Sequence, residues 1–142
     1  MKTVKQLLEQ KGRALITIEV GASVLQALQT MAEHDVGALP VLDGGKLVGI
    51  LSERDYARKV VLHGKSSVEV PVSAIMTARV TSVSLQQSVE DCMTLMSNGH
   101  FRHLPVLEHG QLIGMLSIGD LVKEVISGQA EVIGQLEKYI HT

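Results

Sequence analysis

The chain has 142 residues, with 13 Lys and Arg against 15 Asp and Glu and a formal net charge of −2, a balance that excludes the basic footprint of a nucleic-acid-binding surface. One Phe, two Tyr and no Trp exclude an aromatic platform for stacking bases and leave the core to Val, Leu, Ile, Met and Ala. Cys92 is the single cysteine, so no intrachain disulfide forms; with no signal-peptide core at the N-terminus and no apolar run of bilayer length, a cytoplasmic chain is expected.

Thr3 to about Gln10 is predicted as a short amphipathic helix with Val4, Leu7 and Leu8 on one face, broken by Lys11-Gly12-Arg13. Leu15 to Ile18 is rich in β-branched residues and is predicted as a strand. Ser23 opens a helix whose core face is Val24, Ala27, Leu28 and Met31, at the i, i+3, i+4, i+7 spacing, and Asp35-Val36-Gly37 ends it. Two strands follow, Ala38–Leu42 and Lys46–Leu51, joined by Asp43-Gly44-Gly45, whose residues tolerate positive φ. Leu47–Leu51 is apolar throughout and is expected to be covered on both faces, and Gly49 in its middle marks the close approach of another group. Glu53 to about Leu62 is the next helix.

His63–Pro71 is a polar linker, and Val72–Thr77 a helical turn expected to start the second half. Thr81–Val83 is a strand, and Ser88–Asn98 a helix with Val89, Cys92, Met93 and Met96 inward. His103–Leu107 and Gln111–Leu116 are strands, Ile118–Ile126 a helix, and Ala130–Ile140 a separate terminal helix with Val132, Ile133, Leu136 and Ile140 on its apolar face.

The second half repeats the first. Ser23–Val60 aligned with Ser88–Val125 at a constant offset of 65 gives 14 identities in 38 positions without a gap. Leu39-Pro40-Val41-Leu42 returns as Leu104-Pro105-Val106-Leu107, and Ser52-x-x-Asp55 returns as Ser117-x-x-Asp120. A unit of about sixty residues buries too little surface to stand easily alone, so the two are expected to fold together. The expected organisation is 1–65 for the first repeat with its N-terminal helix, 66–128 for the second, and 129–142 for a C-terminal helix.

Each Ser-x-x-Asp lies where a strand becomes a helix. One reading is a capping box, which needs no ligand. The other is a nucleotide site, in which the helix start and the Ser hydroxyl offer donors and the carboxylate accepts from both hydroxyls of a ribose. Arg58 and Lys59 read as a solvated helix face. Six histidines raise the question of a metal, but His100 and His103 have no Cys or carboxylate at a ligand spacing. Cys92 reads as a small core residue and not as a nucleophile.

The doubled Leu-Pro-Val-Leu, turn, Leu-(Val/Ile)-Gly-x-Leu-Ser-x-x-Asp pattern, with Ile75-Met76-Thr77 ahead of the second copy, resembles a tandem pair of CBS domains, the Bateman module. The resemblance spans about Lys2 to Ile126. It implies an α+β fold of two βαββα repeats about a pseudo-twofold axis, with flanking N- and C-terminal helices. It also implies clefts between the repeats for AMP, ADP, ATP, NAD or S-adenosylmethionine, no catalytic cofactor, association into a homodimer, and an unidentified regulated partner rather than nucleic acid or membrane. Carried over by position, one cleft holds Ser52, Arg54 and Asp55 facing Met76, Thr77, Arg79 and Val80, bordered by Arg102, His103 and Leu104. The other holds Ser117 and Asp120 facing Lys11, Ala14 and Ile16, edged by Val36, Gly37 and Ala38.

Three arginines, 54, 79 and 102, fall to the Asp55 cleft, whereas Gly119 replaces Arg54 in the other copy; phosphate oxygens favour guanidinium groups, so the Asp55 cleft is expected to bind more tightly. The function expected is that of a nucleotide-sensing regulatory module. A constitutive structural or adaptor dimer with vestigial clefts is the alternative. An enzyme is not expected, because neither a phosphate-cradling Gly-rich loop nor a nucleophile–base pair at a known spacing is present.

Overall fold

The computed structural model describes residues 2–12 and 15–141, with side chains as far as Gln129. Its elements are α1 (Val4–Lys11), β1 (Ile18–Glu19), α2 (Val24–His34), β2 (Ala38–Asp43), β3 (Lys46–Ser52), α3 (Glu53–Tyr56), α4 (Val72–Ile75), α5 (Val89–Gly99), β4 (His103–Glu108), β5 (Gln111–Ser117) and α6 (Ile118–His141). After Tyr56 the α3 helix continues for Ala57–Val61 as a wider π-helical turn, in which Leu62 N–H donates to the carbonyl of Ala57. By contacts the chain forms two compact units. One is 14–81 with 109–113, built on the first repeat; the other is 1–13, 82–108 and 114–142, built on the second.

In the first-repeat unit, β1, β2 and β3 form a sheet in that order. β1 runs parallel to β2 with Ile18 opposite Val41, and β2 is antiparallel to β3 with Leu39 opposite Leu51. Asp43 pairs with Lys46, leaving Gly44 and Gly45 as a two-residue loop at φ of 58° and 88°. Those angles suit a primed turn that only Gly adopts freely. α2 is capped by Ser23, whose hydroxyl accepts from Gln26 N–H while the Gln26 side chain accepts from Ser23 N–H. It lays Val24, Ala27 and Met31 on the sheet residues Leu39, Val41 and Leu51 in one buried cluster, with Leu28 at its margin. α4 joins the same cluster through Val72 and Ile75.

In the second-repeat unit, Thr3 caps α1 in the same reciprocal way, and Val4, Leu7 and Leu8 are buried. The N–H groups of Val4 and Lys5 donate to the carbonyls of Gln87 and Leu85, and Val89 N–H donates to Lys2. These bonds fix α1 beside the start of α5. α5, capped by Ser88, buries Val89, Cys92 and Met96, with Met93 half-buried. β4 and β5 form a two-stranded sheet. Val83 bonds to Pro105 and Leu107 as a lone parallel bridge, the counterpart of β1.

Several expectations change. By contacts, α1 lies in the unit built on the second repeat, and 66–81 in the unit built on the first. Val72 and Ile75 pack into the first-repeat core. The strand expected at Leu15–Ile18 is reduced to Ile18–Glu19, because pairing begins only where Ile18 meets Val41. β3 is fully buried at Gly49 and Leu51 but only half-buried at Val48 and Ile50. The two helices expected after Ile118 are one, because Gly128 costs a helix interior only about 1 kcal/mol and does not stop it. The inward-facing set Val132, Ile133, Leu136 and Ile140 lies outside the described side chains.

Candidate functional site

Each unit carries one Ser-x-x-Asp, and a mid-strand glycine sets what lies beside it. A Cβ on Gly49 would sit 2.7 Å from the Met76 sulfur and 3.0 Å from the Thr77 carbonyl. The bare backbone there lets Ile50 and Thr77 exchange both backbone hydrogen bonds, at 3.0 and 2.8 Å. One repeat later, a Cβ on Gly114 would meet Leu8 at 2.8 Å. Gly thus admits a crossing segment onto each β3-type strand: Met76-Thr77 in the first-repeat unit, α1 in the second. The crossing segment then reaches the end of the strand, where the Ser-x-x-Asp begins.

In the first-repeat unit, Ser52 N–H and Oγ–H donate to Asp55 Oδ2, both at 3.0 Å, and Asp55 N–H donates back to Ser52 Oγ at 3.1 Å. Lys59 Nζ lies 3.2 Å from Asp55 Oδ1 and donates to the Ile75 carbonyl at 2.8 Å. Glu53 N–H donates to the Gly37 carbonyl at 3.0 Å, which brings the start of β2 to the same helix start. A half-open pocket of about 300 Å³ adjoins it, lined by Leu28, Met31, Ala32, Asp35, Val36, Gly37 and Glu53.

In the second-repeat unit, Ser117 N–H donates to Asp120 Oδ2 at 2.8 Å and Ser117 Oγ–H at 3.1 Å, and Asp120 N–H returns to Ser117 Oγ at 3.3 Å. Lys11 Nζ reaches the same Oδ2 at 2.8 Å and the Met115 carbonyl at 2.7 Å. Ile118 N–H donates to the Arg102 carbonyl at 2.8 Å, which sets the start of β4 beside the helix. Burial pushes the Asp120 carboxyl up, but the hydrogen bond from Lys11, those from Ser117 and the Lys11 charge outweigh it, and the net shift is downward. His103 is lowered, first by burial and next by the charge of Lys11; Asp120 opposes this and Arg102 adds to it.

Both helix starts are therefore complete capping boxes, and both carboxylates already hold an ammonium. The expected site residues are distributed over the two units. Ser52, Arg54, Asp55, Met76, Thr77, Arg79 and Val80 fall in one unit, joined by Ile16, Val36, Gly37 and Ala38. Lys11, Ser117 and Asp120 fall in the other, joined by Arg102, His103 and Leu104. Backbone bonds inside each unit tie the strand start at Gly37 to the Ser52 helix and that at Arg102 to the Ser117 helix, because each β2-type strand is hydrogen-bonded beside its own β3-type strand. The Leu104 side chain is fully buried and belongs to the core. Ala14 lies outside the described residues. Lys11, Arg102 and Asp120 all act on His103 in the second-repeat unit.

Lys59 was expected on a solvated face, and its pairing was missed. The Asp-x-x-x-Lys spacing, one helical turn with the acid first, is the signal that finds it. Cys92 is fully buried, and burial with the nearby Asp91 charge raises its thiol to about 11, partly opposed by a backbone hydrogen bond; it is not a thiolate nucleophile at neutral pH. Among the described residues no three His, Cys, Asp or Glu side chains cluster to hold a metal ion.

Comparison with known proteins agrees with this geometry. The CBS domain family matches the chain twice, over residues 5–62 and 72–127. The chain is 35% identical over 147 residues to the CBS domain-containing protein CBSX3, mitochondrial, of Arabidopsis thaliana, covering 97% of this chain and 71% of that protein. A solved protein with CBS domains from Burkholderia ambifaria is 50% identical, with a TM-score of 0.87 over 90% of this chain and 96% of that one. The CBS domain pair of protein MJ0100, solved in complex with 5′-methylthioadenosine and S-adenosyl-L-methionine, is 25% identical, with a TM-score of 0.79 over 91% of this chain and 98% of that one. A doubled Leu-Pro-Val motif, two Ser-x-x-Asp helix starts and a family match to each repeat make this chain a member of the CBS-domain family, a tandem CBS pair.

Proposed function

We propose that this chain is a regulatory module that binds an adenosine-containing ligand, AMP, ADP, ATP or NAD, at its two Ser-x-x-Asp helix starts. The observation that carries the reading is the repeated constellation itself: in each unit an ordered carboxylate, an ammonium and the start of a strand converge on one helix start. A ribose diol suits the carboxylate, and a phosphate suits the cations beside it. The adenosine-type ligands of MJ0100 support the same class. The half-open pocket beside Gly37 supplies an apolar wall of Leu28, Met31 and Val36 of a kind that suits a purine ring.

Ligand binding regulates by differential affinity: occupancy favours one arrangement of the chain and changes the surface offered to a protein partner. The exposed apolar stripe Ile118, Val122 and Ile126 along α6 supports a homodimer as the working form, read by the mass in solution. A cytoplasmic setting fits a single buried thiol. The alternative, an adaptor with vestigial clefts, draws on the same two capping boxes, each complete within the chain. Thermal melts with millimolar AMP, ATP, NAD and S-adenosylmethionine separate the two. A ligand bound only by the folded state raises the melting temperature; no shift with any of the four supports the adaptor.

A further inference from the structure

The two helix starts obtain their ammonium by different routes. One repeat on from Lys11 stands Met76; one repeat on from Lys59 stands Glu124, which pairs with Lys2 at 3.4 Å. Neither lysine has a counterpart in the other copy. At Asp55 both carboxylate oxygens are engaged, Oδ2 by Ser52 and Oδ1 by Lys59. At Asp120 the Ser117 bonds and Lys11 all converge on Oδ2, and among the described residues nothing bonds Oδ1. A ribose hydroxyl can thus donate to Oδ1 while Lys11 stays in place. Held by Oδ2 and the Met115 carbonyl, the Lys11 ammonium keeps a third proton to donate. His103 is the other titratable group near it, and the charges that act on His103 are Lys11, Asp120 and Arg102.

We propose that Lys11 determines the ligand class of the Asp120 site, selecting adenosine bearing a phosphate over uncharged adenosine. This rests on the reading of Asp120 as a ribose-binding carboxylate. The ammonium does not compete for Oδ1, which nothing among the described residues bonds, and it supplies a charge-assisted donor that an uncharged nucleoside cannot use. The Asp55 site has Met76 where this cation would stand, and its ligand has to displace Lys59.

The test is calorimetric titration of the full chain in an Asp55→Asn background, which keeps the helix cap and disables that site, with AMP and with adenosine. With Lys11 present, AMP binds about tenfold or more tightly than adenosine, the factor of a charge-assisted hydrogen bond. Lys11→Met, the residue the other copy carries, abolishes most of that preference and leaves adenosine affinity nearly unchanged; Lys11→Arg restores it. An unchanged AMP-to-adenosine ratio in Lys11→Met, or an equal loss for both ligands, shows a structural lysine and overturns the proposal. Equal binding of the two ligands with Lys11 present overturns it too while leaving the site reading intact. Failure of both ligands to bind the Asp55→Asn protein at millimolar concentration overturns the site reading and this inference together.

Discussion

Asp120 and His103 make the second-repeat unit sensitive to pH in two separate windows. The Asp120 carboxyl lies below its ordinary 3.8, so the unfolded chain takes up its proton first as the pH falls. Its contribution to stability is complete above that value and is lost as the pH drops through the folded value. His103 lies below its ordinary 6.5. Below 6.5 the unfolded chain binds that proton first, so stability falls with pH from there down to the folded value and then levels. Denaturant melts across pH 3 to 8 are expected to show both slopes. Asp120→Asn is expected to weaken the acid one and His103→Gln the upper one; an undiminished slope in either variant contradicts the assignment. At neutral pH, loss of the exposed Lys11–Asp120 pair alone is expected to cost under about 1 kcal/mol. Asp120 was legible as a candidate from sequence because Ser-x-x-Asp is local. Lys11 was placed opposite it only by resemblance, since 109 residues of chain separate the pair.

At the scale of elements, the two mid-strand glycines differ in what they admit. A methyl at Gly49 meets the Met76 sulfur at 2.7 Å and the Thr77 carbonyl at 3.0 Å, and that carbonyl is backbone, in a residue that exchanges two hydrogen bonds with Ile50. A methyl at Gly114 meets only the end of the Leu8 side chain, at 2.8 Å. Gly49→Ala is therefore expected to destabilise by about 1–3 kcal/mol, and Gly114→Ala by less, because a side chain turns aside where a backbone cannot. Chemical denaturation of the two variants checks the order, and a greater loss at Gly114 contradicts it. The hairpins, the helix caps and the glycine approach were readable because turn, cap and close-packing chemistry are local. The continuity of α6 was not: a Gly within Ser127-Gly128-Gln129 reads as a break, yet helix propagation on both sides outweighs its small cost. The length of β1 was not readable either, because pairing with β2 decides it.

At the scale of the molecule, the duplication was plain in the sequence, but the exchange of segments was not. A repeat match reports which residues are alike, while α1 and Val72–Thr77 have no likeness to one another and are placed by burial of Leu8 in one unit and Val72 and Ile75 in the other. Each crossing segment makes its unit's Ser-x-x-Asp helix start depend on chain from outside the repeat. We propose that the two Ser-x-x-Asp carboxylates hold an adenosine ligand. The direct measurement is calorimetric titration of AMP into the wild-type chain and into an Asp55→Ala/Asp120→Ala variant, with thermal melts to show that both remain folded. Saturable binding by the wild type is expected, with its loss, by about a hundredfold or more for a removed charge-assisted pair of bonds, in the double variant. Undiminished binding by a folded double variant would contradict it.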